Sequence, residues 1–145
     1  MRGLLETGEV VTTTSQPMGA TRAMCVDDDY LYTAASTGRL YKINKTTLTI
    51  AQTGNVIYNS PQDLKYVGDY IYVTGTGTSP NTGVVAKIAK SDINTIVSMT
   101  SNVYNSEITY RILIDEEYLY TTSATGIIKK WLSIVTGKQI GRAHV

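Results

Sequence analysis

Alternating apolar and polar side chains form the same two-run pattern three times along the chain. Each copy has an acidic residue, a Tyr-x-Tyr run, a turn with Thr-Gly and a second run rich in apolar residues. The paired runs lie at 30–34 with 39–43, 70–74 with 84–88, and 118–123 with 126–132. A period of two residues is typical of β-strands with one buried face. The pattern therefore predicts three antiparallel hairpins.

One more strand is predicted on each side of a hairpin, so that each unit has strands a, b, c and d. The predicted a-strands are residues 23–26, 64–67 and 111–114, and the predicted d-strands are 48–52 and 93–99, with the third cut short. The matched glycines Gly38, Gly83 and Gly126 are 45 and 43 residues apart. Four-stranded propeller blades repeat every ~40–50 residues. We therefore predict an all-β chain, a β-propeller fragment of about three four-stranded antiparallel blades.

The predicted domain limits follow the same units. Residues 1–139 form a partial propeller, in which residues 1–11 are the outer strand of another blade. The blades themselves are predicted at residues 12–54 and 55–100, with an incomplete blade at 101–139. Closed propellers have about 4–8 blades. The remaining blades of the same chain are therefore expected partners.

The sequence also resembles known propeller families. Tyr-Leu-Tyr at 30–32, Thr-Gly-Arg-Leu-Tyr-Lys-Ile-Asn at 37–44 and Lys-Thr-Thr at 45–47 resemble blades of the quinoprotein-like and YVTN-like β-propellers. Residues 125–131 are similar to strand c of a WD40 blade. The resemblance covers nearly the whole chain and implies blade architecture. It implies no single function, because this fold hosts enzymes, receptors and scaffolds.

The last six residues, Ile-Gly-Arg-Ala-His-Val at 140–145, are similar to the translation of a common short-read sequencing adapter. We interpret them as a non-native tail, which fold reasoning should leave out. The alternative is an ordinary strand d with a chance match. The only histidine, His144, lies in this tail. No catalytic or metal-binding role is therefore predicted for histidine.

Composition narrows the classes of function. The net charge of +1 provides no bulk field that would attract nucleic acid or an anionic membrane. No apolar run is long enough to span a bilayer. The single cysteine, Cys25, lies in an apolar run and is predicted to be a small buried hydrophobe. The chain is rich in Thr, Tyr and Ser and low in charge, which favours a secreted, surface or virion location over the cytoplasm.

Two motifs resemble ion-binding or phosphate-binding loops, but both lack residues that such loops require. The acidic run Asp27-Asp28-Asp29 provides oxygen ligands for calcium, but consecutive carboxylates point in different directions and the Asp-x-Asp-x-Asp-Gly loop is missing. We predict a solvated turn there. Gly75-Thr76-Gly77 lacks the third glycine and the Lys-Ser/Thr of phosphate loops. No catalytic residue, metal site or cofactor is predicted.

A repeated motif in the d–a connections gives the candidate site. Residues 56–60 and 102–106 both contain Tyr-Asn-Ser. The predicted ligand-binding residues are Tyr58, Asn59, Asp63, Tyr104, Asn105 and Arg111. They would stack on a flat or sugar-like ligand and hydrogen-bond its polar groups. In the alternative interpretation, the motif is a turn whose Asn and Ser satisfy the backbone.

The leading functional prediction is a non-catalytic binding or scaffold module that uses its loop faces to hold a protein or a small carbohydrate-like ligand. One alternative is a fragment of a propeller enzyme, such as a quinoprotein-like oxidoreductase or a lactonase, with its active site in missing blades. Another is a structural component of a phage or cell-surface assembly.

Overall fold

The structure, a computed structural model, describes residues 8–14, 18–77, 83–100, 103–104, 108–116 and 118–132. In these residues the regular secondary structure consists of β-strands, with no helix. Blade 1 contains β1 (Thr21–Val26), β2 (Tyr30–Ala35), β3 (Arg39–Asn44) and β4 (Ile50–Val56). Blade 2 contains β5 (Tyr58–Val67), β6 (Tyr70–Gly77), β7 (Gly83–Ala89) and β8 (Ile96–Thr100). Blade 3 contains β9 (Thr109–Ile114), β10 (Tyr118–Ser123) and β11 (Ile128–Leu132).

Each blade is a separate antiparallel meander, in which every strand pairs with the next strand along the chain. The central hairpin has the same register in all three blades. In blade 1, Tyr32 pairs with Lys42, and in blade 3, Tyr120 pairs with Lys130. Because the hairpins are in register, equivalent side chains lie on the same face of each sheet. The predicted fold class, β-propeller blades of four antiparallel strands, is confirmed.

The blades stack through two different faces. The front face of each blade carries the Tyr-x-Tyr pair and the lysine that faces it, and the back face carries the residues between them. The front faces are Tyr30, Tyr32 and Lys42 in blade 1, Tyr70, Tyr72 and Lys87 in blade 2, and Tyr118, Tyr120 and Lys130 in blade 3. The front of blade 1 packs on the back of blade 2, and the front of blade 2 packs on the back of blade 3.

The buried core lies in these two interfaces and in a third cluster on the back of blade 1, formed by Ala35, Tyr41 and Ile43. Between blades 1 and 2, the buried back-face residues Leu64, Ile71 and Ile88 pack with Tyr32. Between blades 2 and 3, Tyr72 packs with Ile112 and Leu119. The first strands of the three blades are neighbours in space, so β1, β5 and β9 form the inner layer. Burial of apolar surface between blades is therefore the main source of stability.

The first strand of blade 2 is longer than its sequence pattern predicts. We predicted strand a at 64–67, but β5 begins at Tyr58 and includes Pro61. Proline lacks an N–H donor and is tolerated in a sheet at bulges. The pairing of β5 with β6 shifts register on both sides of Pro61, between Tyr58 and Ser60 and between Pro61 and Asp63. These irregularities let the strand continue through a segment that looks like a loop in the sequence.

Several predicted segments lie outside the described residues, including strand d of the third unit and the tail at 140–145. Of the predicted outer strand at 1–11, residues 8–11 are described and have no strand structure. Cys25 is half-buried on the front of blade 1. Burial raises the pKa of its thiol to about 12, so the side chain is a neutral hydrophobe at physiological pH.

Candidate functional site

The candidate residues lie at one end of the blades, where the inner strands begin. At this end β5 and β9 start and β6 ends. The inner strands of propeller blades surround the central channel, so side chains at these strand starts line its mouth. We therefore describe this end, called the mouth below, residue by residue.

Asp63 lies on β5 and joins two blades. The residue is only 8% exposed. One carboxylate oxygen accepts the N–H of Leu64 at 2.9 Å, and the other accepts the N–H of Ile112 in blade 3 at 3.0 Å. The ammonium of Lys65 lies 3.2 Å from the same carboxylate. Because backbone donors and a cation occupy the carboxylate, Asp63 acts chiefly as a connector between blades.

Arg111 lies next to this connector on β9 and is exposed. Its Nη1 donates to the carbonyl oxygen of Gln62 in blade 2 at 3.1 Å. The preceding residue, Tyr110, is 38% exposed, and its carbonyl oxygen accepts the Thr74 hydroxyl at 3.0 Å. The guanidinium is therefore held against blade 2 by this bond, on a residue that is exposed. It is the most accessible charged group among the predicted site residues.

Tyr58 and Tyr104 make the same contact in successive blades. The Tyr58 side chain is 1% exposed, and its hydroxyl donates to the carbonyl oxygen of Val73 at 2.8 Å. The Tyr104 hydroxyl donates to the carbonyl oxygen of Thr121, the residue of blade 3 that corresponds to Val73, at 2.7 Å. Burial raises the pKa of the Tyr58 hydroxyl above its usual range. Buried rings offer no surface for stacking, so in this structure both side chains pack the core.

The other two predicted residues differ in position. Asn59 is exposed at the start of β5. Asn105 lies outside the described residues. The structure thus brings Asp63 and Arg111 onto adjacent inner strands, but each binds different partners. Ligand contact by the six residues stays a prediction, and its accessible described members are Asn59 and Arg111.

At the opposite end, the acidic run forms the predicted turn. One carboxylate oxygen of Asp27 accepts the N–H groups of Asp29 and Tyr30, at 2.9 and 2.7 Å. The other accepts the Tyr32 hydroxyl at 3.1 Å and lies 2.9 Å from Lys90 of blade 2. Burial opposes ionisation, but the Lys90 ammonium and these donors outweigh it and hold the pKa of Asp27 below its usual range. The sequence pattern did not reveal the Lys90 partner. Across the described ranges no three His, Cys, Asp or Glu side chains are grouped to hold a metal ion.

A cleft between blades 2 and 3 was not predicted. Its lining residues come from β7, β8, β10 and β11 together with Tyr72, and they are Tyr72, Val85, Lys87, Ser98, Thr100, Leu119 and Trp131. Burial raises the pKa of Tyr72 to about 12. Its buried hydroxyl has no hydrogen-bond partner within the described structure. Trp131, the only tryptophan in the sequence, packs in this interface.

Comparisons with known proteins support the fold. No protein-family model matches the sequence, and no curated protein matches it. Among solved structures, the computationally designed Ika4 protein matches with a TM-score of 0.50 and 10% identity, covering 86% of this chain and 98% of that one. The designed Ika8 protein matches with a TM-score of 0.49 and 9% identity, covering 85% of this chain and 49% of that one. BamB from Moraxella catarrhalis matches with a TM-score of 0.44 and 16% identity, covering 76% of this chain and 42% of that one.

Fold and comparison together define the class of protein. The described part of the chain consists of consecutive antiparallel blades of the β-propeller type. At 10% identity, the match to Ika4 speaks for the fold alone. The described residues include no helix long and apolar enough to cross a membrane.

Proposed function

We propose that this chain is a non-catalytic binding module that holds a protein segment or a small carbohydrate-like ligand at the mouth. The observation that carries the proposal is the exposed Arg111 guanidinium, fixed between blades 2 and 3 by the carbonyl oxygen of Gln62 at 3.1 Å. A donor fixed in this way loses little side-chain entropy when a ligand binds. The propeller fold supports a binding or scaffold role in general terms.

The chemistry of the mouth favours a ligand with acceptor oxygens. Arg111 presents a planar set of N–H donors, a geometry that suits carboxylates and pairs of hydroxyl groups. The Tyr110 side chain, 38% exposed, adds an aromatic surface next to it. Asn59 is exposed at the start of β5, at the same end of the blades. Because the Asp63 carboxylate is occupied by N–H groups of both blades, the accessible charge at this position is positive.

We further propose that the blades belong to the quinoprotein-like, YVTN-like and WD40-like group that their sequence resembles. The Thr-Gly turn before strand c supports this. At Gly38 the turn has a φ of +89°, and at Gly126 a φ of +91°. Two blades thus turn with the same backbone conformation, as expected for copies of one repeat unit.

The test uses the full 145-residue chain on two arrays, one of glycans and one of acidic peptides. We expect Arg111→Ala to weaken binding of any hit at least tenfold, the loss expected for a central charged contact. Arg39→Ala is the matched control, because this arginine bonds the carbonyl oxygen of Gly54 within blade 1 and lies on the third strand of its sheet. Equal loss in both variants, or none in Arg111→Ala with the fold intact, would contradict a site at the mouth.

A further inference from the structure

The cleft between blades 2 and 3 contains a buried hydroxyl whose equivalent in blade 1 has a hydrogen-bond partner. Tyr72 and Tyr32 are equivalent, because each pairs with the front-face lysine of the third strand. The Tyr32 hydroxyl donates to the Asp27 carboxylate at 3.1 Å. Tyr72 is 2% exposed, and its hydroxyl has no partner among the described residues. An unsatisfied buried hydroxyl costs free energy, which a bound acceptor would recover.

The missing partner results from a change in the repeat. Asp27 directly follows β1. Val67 takes its place in blade 2, because the residues before them, Val26 and Tyr66, pair with equivalent residues of the second strand. Val67 packs against the cluster that contains Tyr72, and its side chain has no acceptor. The Tyr72 hydroxyl therefore lacks the acceptor that the repeat provides in blade 1.

The cleft around this hydroxyl combines apolar walls with a positive charge. Val85, Leu119 and Trp131 provide apolar lining, and Lys87, which pairs with Tyr72 across the strands, also lines the space. The lining residues of the described structure include no Asp or Glu. The cleft has a volume of about 80 Å³. One water needs only ~10–15 Å³, so the space holds a small organic group rather than a single water.

The cleft is open to solvent and separate from the mouth. Two of its lining residues, Ser98 and Thr100, are exposed on β8, the last strand of blade 2. Trp131 lines it from β11, the third strand of blade 3. The mouth instead lies where the inner strands β5 and β9 begin. A ligand can therefore reach the cleft from the outer side of the blades without contacting the mouth.

We propose that this cleft binds a small carboxylate with an apolar, ring-sized body, and that a carboxylate oxygen accepts the Tyr72 hydroxyl. Because burial raises the pKa of Tyr72 to about 12, the hydroxyl stays protonated and offers a donor. An anion is favoured because Lys87 is the charged residue of the described lining. The body of the ligand packs on Leu119 and on the Trp131 ring, whose flat surface suits an offset stack. The site is additional to the mouth and does not depend on it.

The test titrates the full 145-residue chain with benzoate and follows the fluorescence of Trp131, the only tryptophan. We expect a saturable change, and Tyr72→Phe should weaken binding about tenfold or more, because a hydrogen bond to a charged group is lost. Without benzoate, Tyr72→Phe should be at least as stable as the original chain, since it removes an unsatisfied hydroxyl. Tyr41→Phe is the matched control, because Tyr41 is 9% exposed on the back of blade 1. It should bind benzoate like the original chain.

Two further measurements test the space and the charge. Val85→Phe puts a larger side chain into the cleft and should abolish the fluorescence response, and Tyr72→Phe decides the matter if that variant is unstable. Benzyl alcohol has the same ring without the charge and should bind at least tenfold more weakly than benzoate. Equal affinity of Tyr72→Phe and the original chain for benzoate, or equal affinity for the two probes, would overturn the proposal. So would the absence of any response, because residues of the chain itself would then fill the cleft, as Ile93 packs with Tyr32 between blades 1 and 2.

Discussion

The buried hydroxyl of Tyr58 allows a direct measurement of what the repeated Tyr-Asn-Ser motif does. Tyr58→Phe keeps the ring, which is 1% exposed, and removes only the donor to the Val73 carbonyl oxygen at 2.8 Å. A typical hydrogen bond contributes ~1 kcal/mol net, and an unsatisfied buried carbonyl costs ~1–3 kcal/mol. We therefore expect the free energy of unfolding to fall by about 1–2 kcal/mol, and Tyr58→Ala to cost ~3–5 kcal/mol because it also leaves a cavity.

The repeat supplies a second copy of the same experiment. The Tyr104 hydroxyl lies 2.7 Å from both the carbonyl oxygen and the Oγ1 of Thr121, so Tyr104→Phe should cost about as much as Tyr58→Phe, or slightly more. Tyr110→Phe is the matched control, because Tyr110 is 38% exposed and its loss of a hydroxyl should change stability by less than ~0.5 kcal/mol.

Urea denaturation provides the assay, followed by the fluorescence of Trp131, which is the only tryptophan and packs between blades 2 and 3. Circular dichroism would follow the strands of all blades in the same samples. Protein concentration must be constant, because self-association shifts apparent stability by mass action. If Tyr58→Phe and Tyr104→Phe were as stable as Tyr110→Phe, the two buried hydroxyls would not hold the blades, and the packing argument would be refuted.

Two further predictions follow from the same interfaces. Because the Lys90 ammonium and nearby donors lower the pKa of Asp27 in the folded chain, the carboxylate stabilises the fold fully above its unfolded pKa of about 4. This contribution is lost as pH falls from about 4 through the lower folded pKa. In an acid titration, Asp27→Asn should therefore lose less stability over that pH window than the original chain. An identical loss in both chains would contradict the role of the ion pair between Asp27 and Lys90. In chemical denaturation, Gly38→Ala should lower the free energy of unfolding by at least ~2 kcal/mol more than Gly126→Ala. Both residues have φ near +90°, but only at Gly38 would an added Cβ collide with the Tyr58 carbonyl oxygen. Equal losses of stability would show that backbone strain alone determines both effects.

The hairpins were predictable because their signals are local. The run at 118–123 coincides with β10, since Tyr-x-Tyr alternation and the following turn lie within a few residues of each other. The start of β5 was not predictable in the same way. Pro61 and Asp63 resemble a loop, and they are held in a strand by bulges and by a hydrogen bond from Ile112, which is distant in sequence. Pairing over such a distance leaves no periodic signal in the local sequence.

The difference between local and long-range signals also explains how much of the candidate site could be predicted from the sequence. The repeated Tyr-Asn-Ser motif correctly marked Tyr58 and Tyr104 as equivalent, and the structure gives them the same bond. The sequence could not tell whether the rings were exposed, because this depends on where the strands begin and on which blade covers them. The front-face lysines show the same limit, since Lys42 reaches the Lys90 carbonyl oxygen of the next blade at 2.9 Å.

Departures from the repeat are the better guide to function. A residue that packs every interface must recur in each blade, as the front-face tyrosines do. At the mouth, the matched positions instead hold Ala23, Asp63 and Arg111, three residues of different size and charge. Asp63 is explained by its bond to Ile112, which fixes blade 3 on blade 2. The interfaces do not require Arg111 in the same way, because the residue is exposed and its bond to the Gln62 carbonyl oxygen uses one of its five N–H donors. Because the repeat does not need this cation, we expect it to be a ligand contact, and the Arg111→Ala binding experiment tests this.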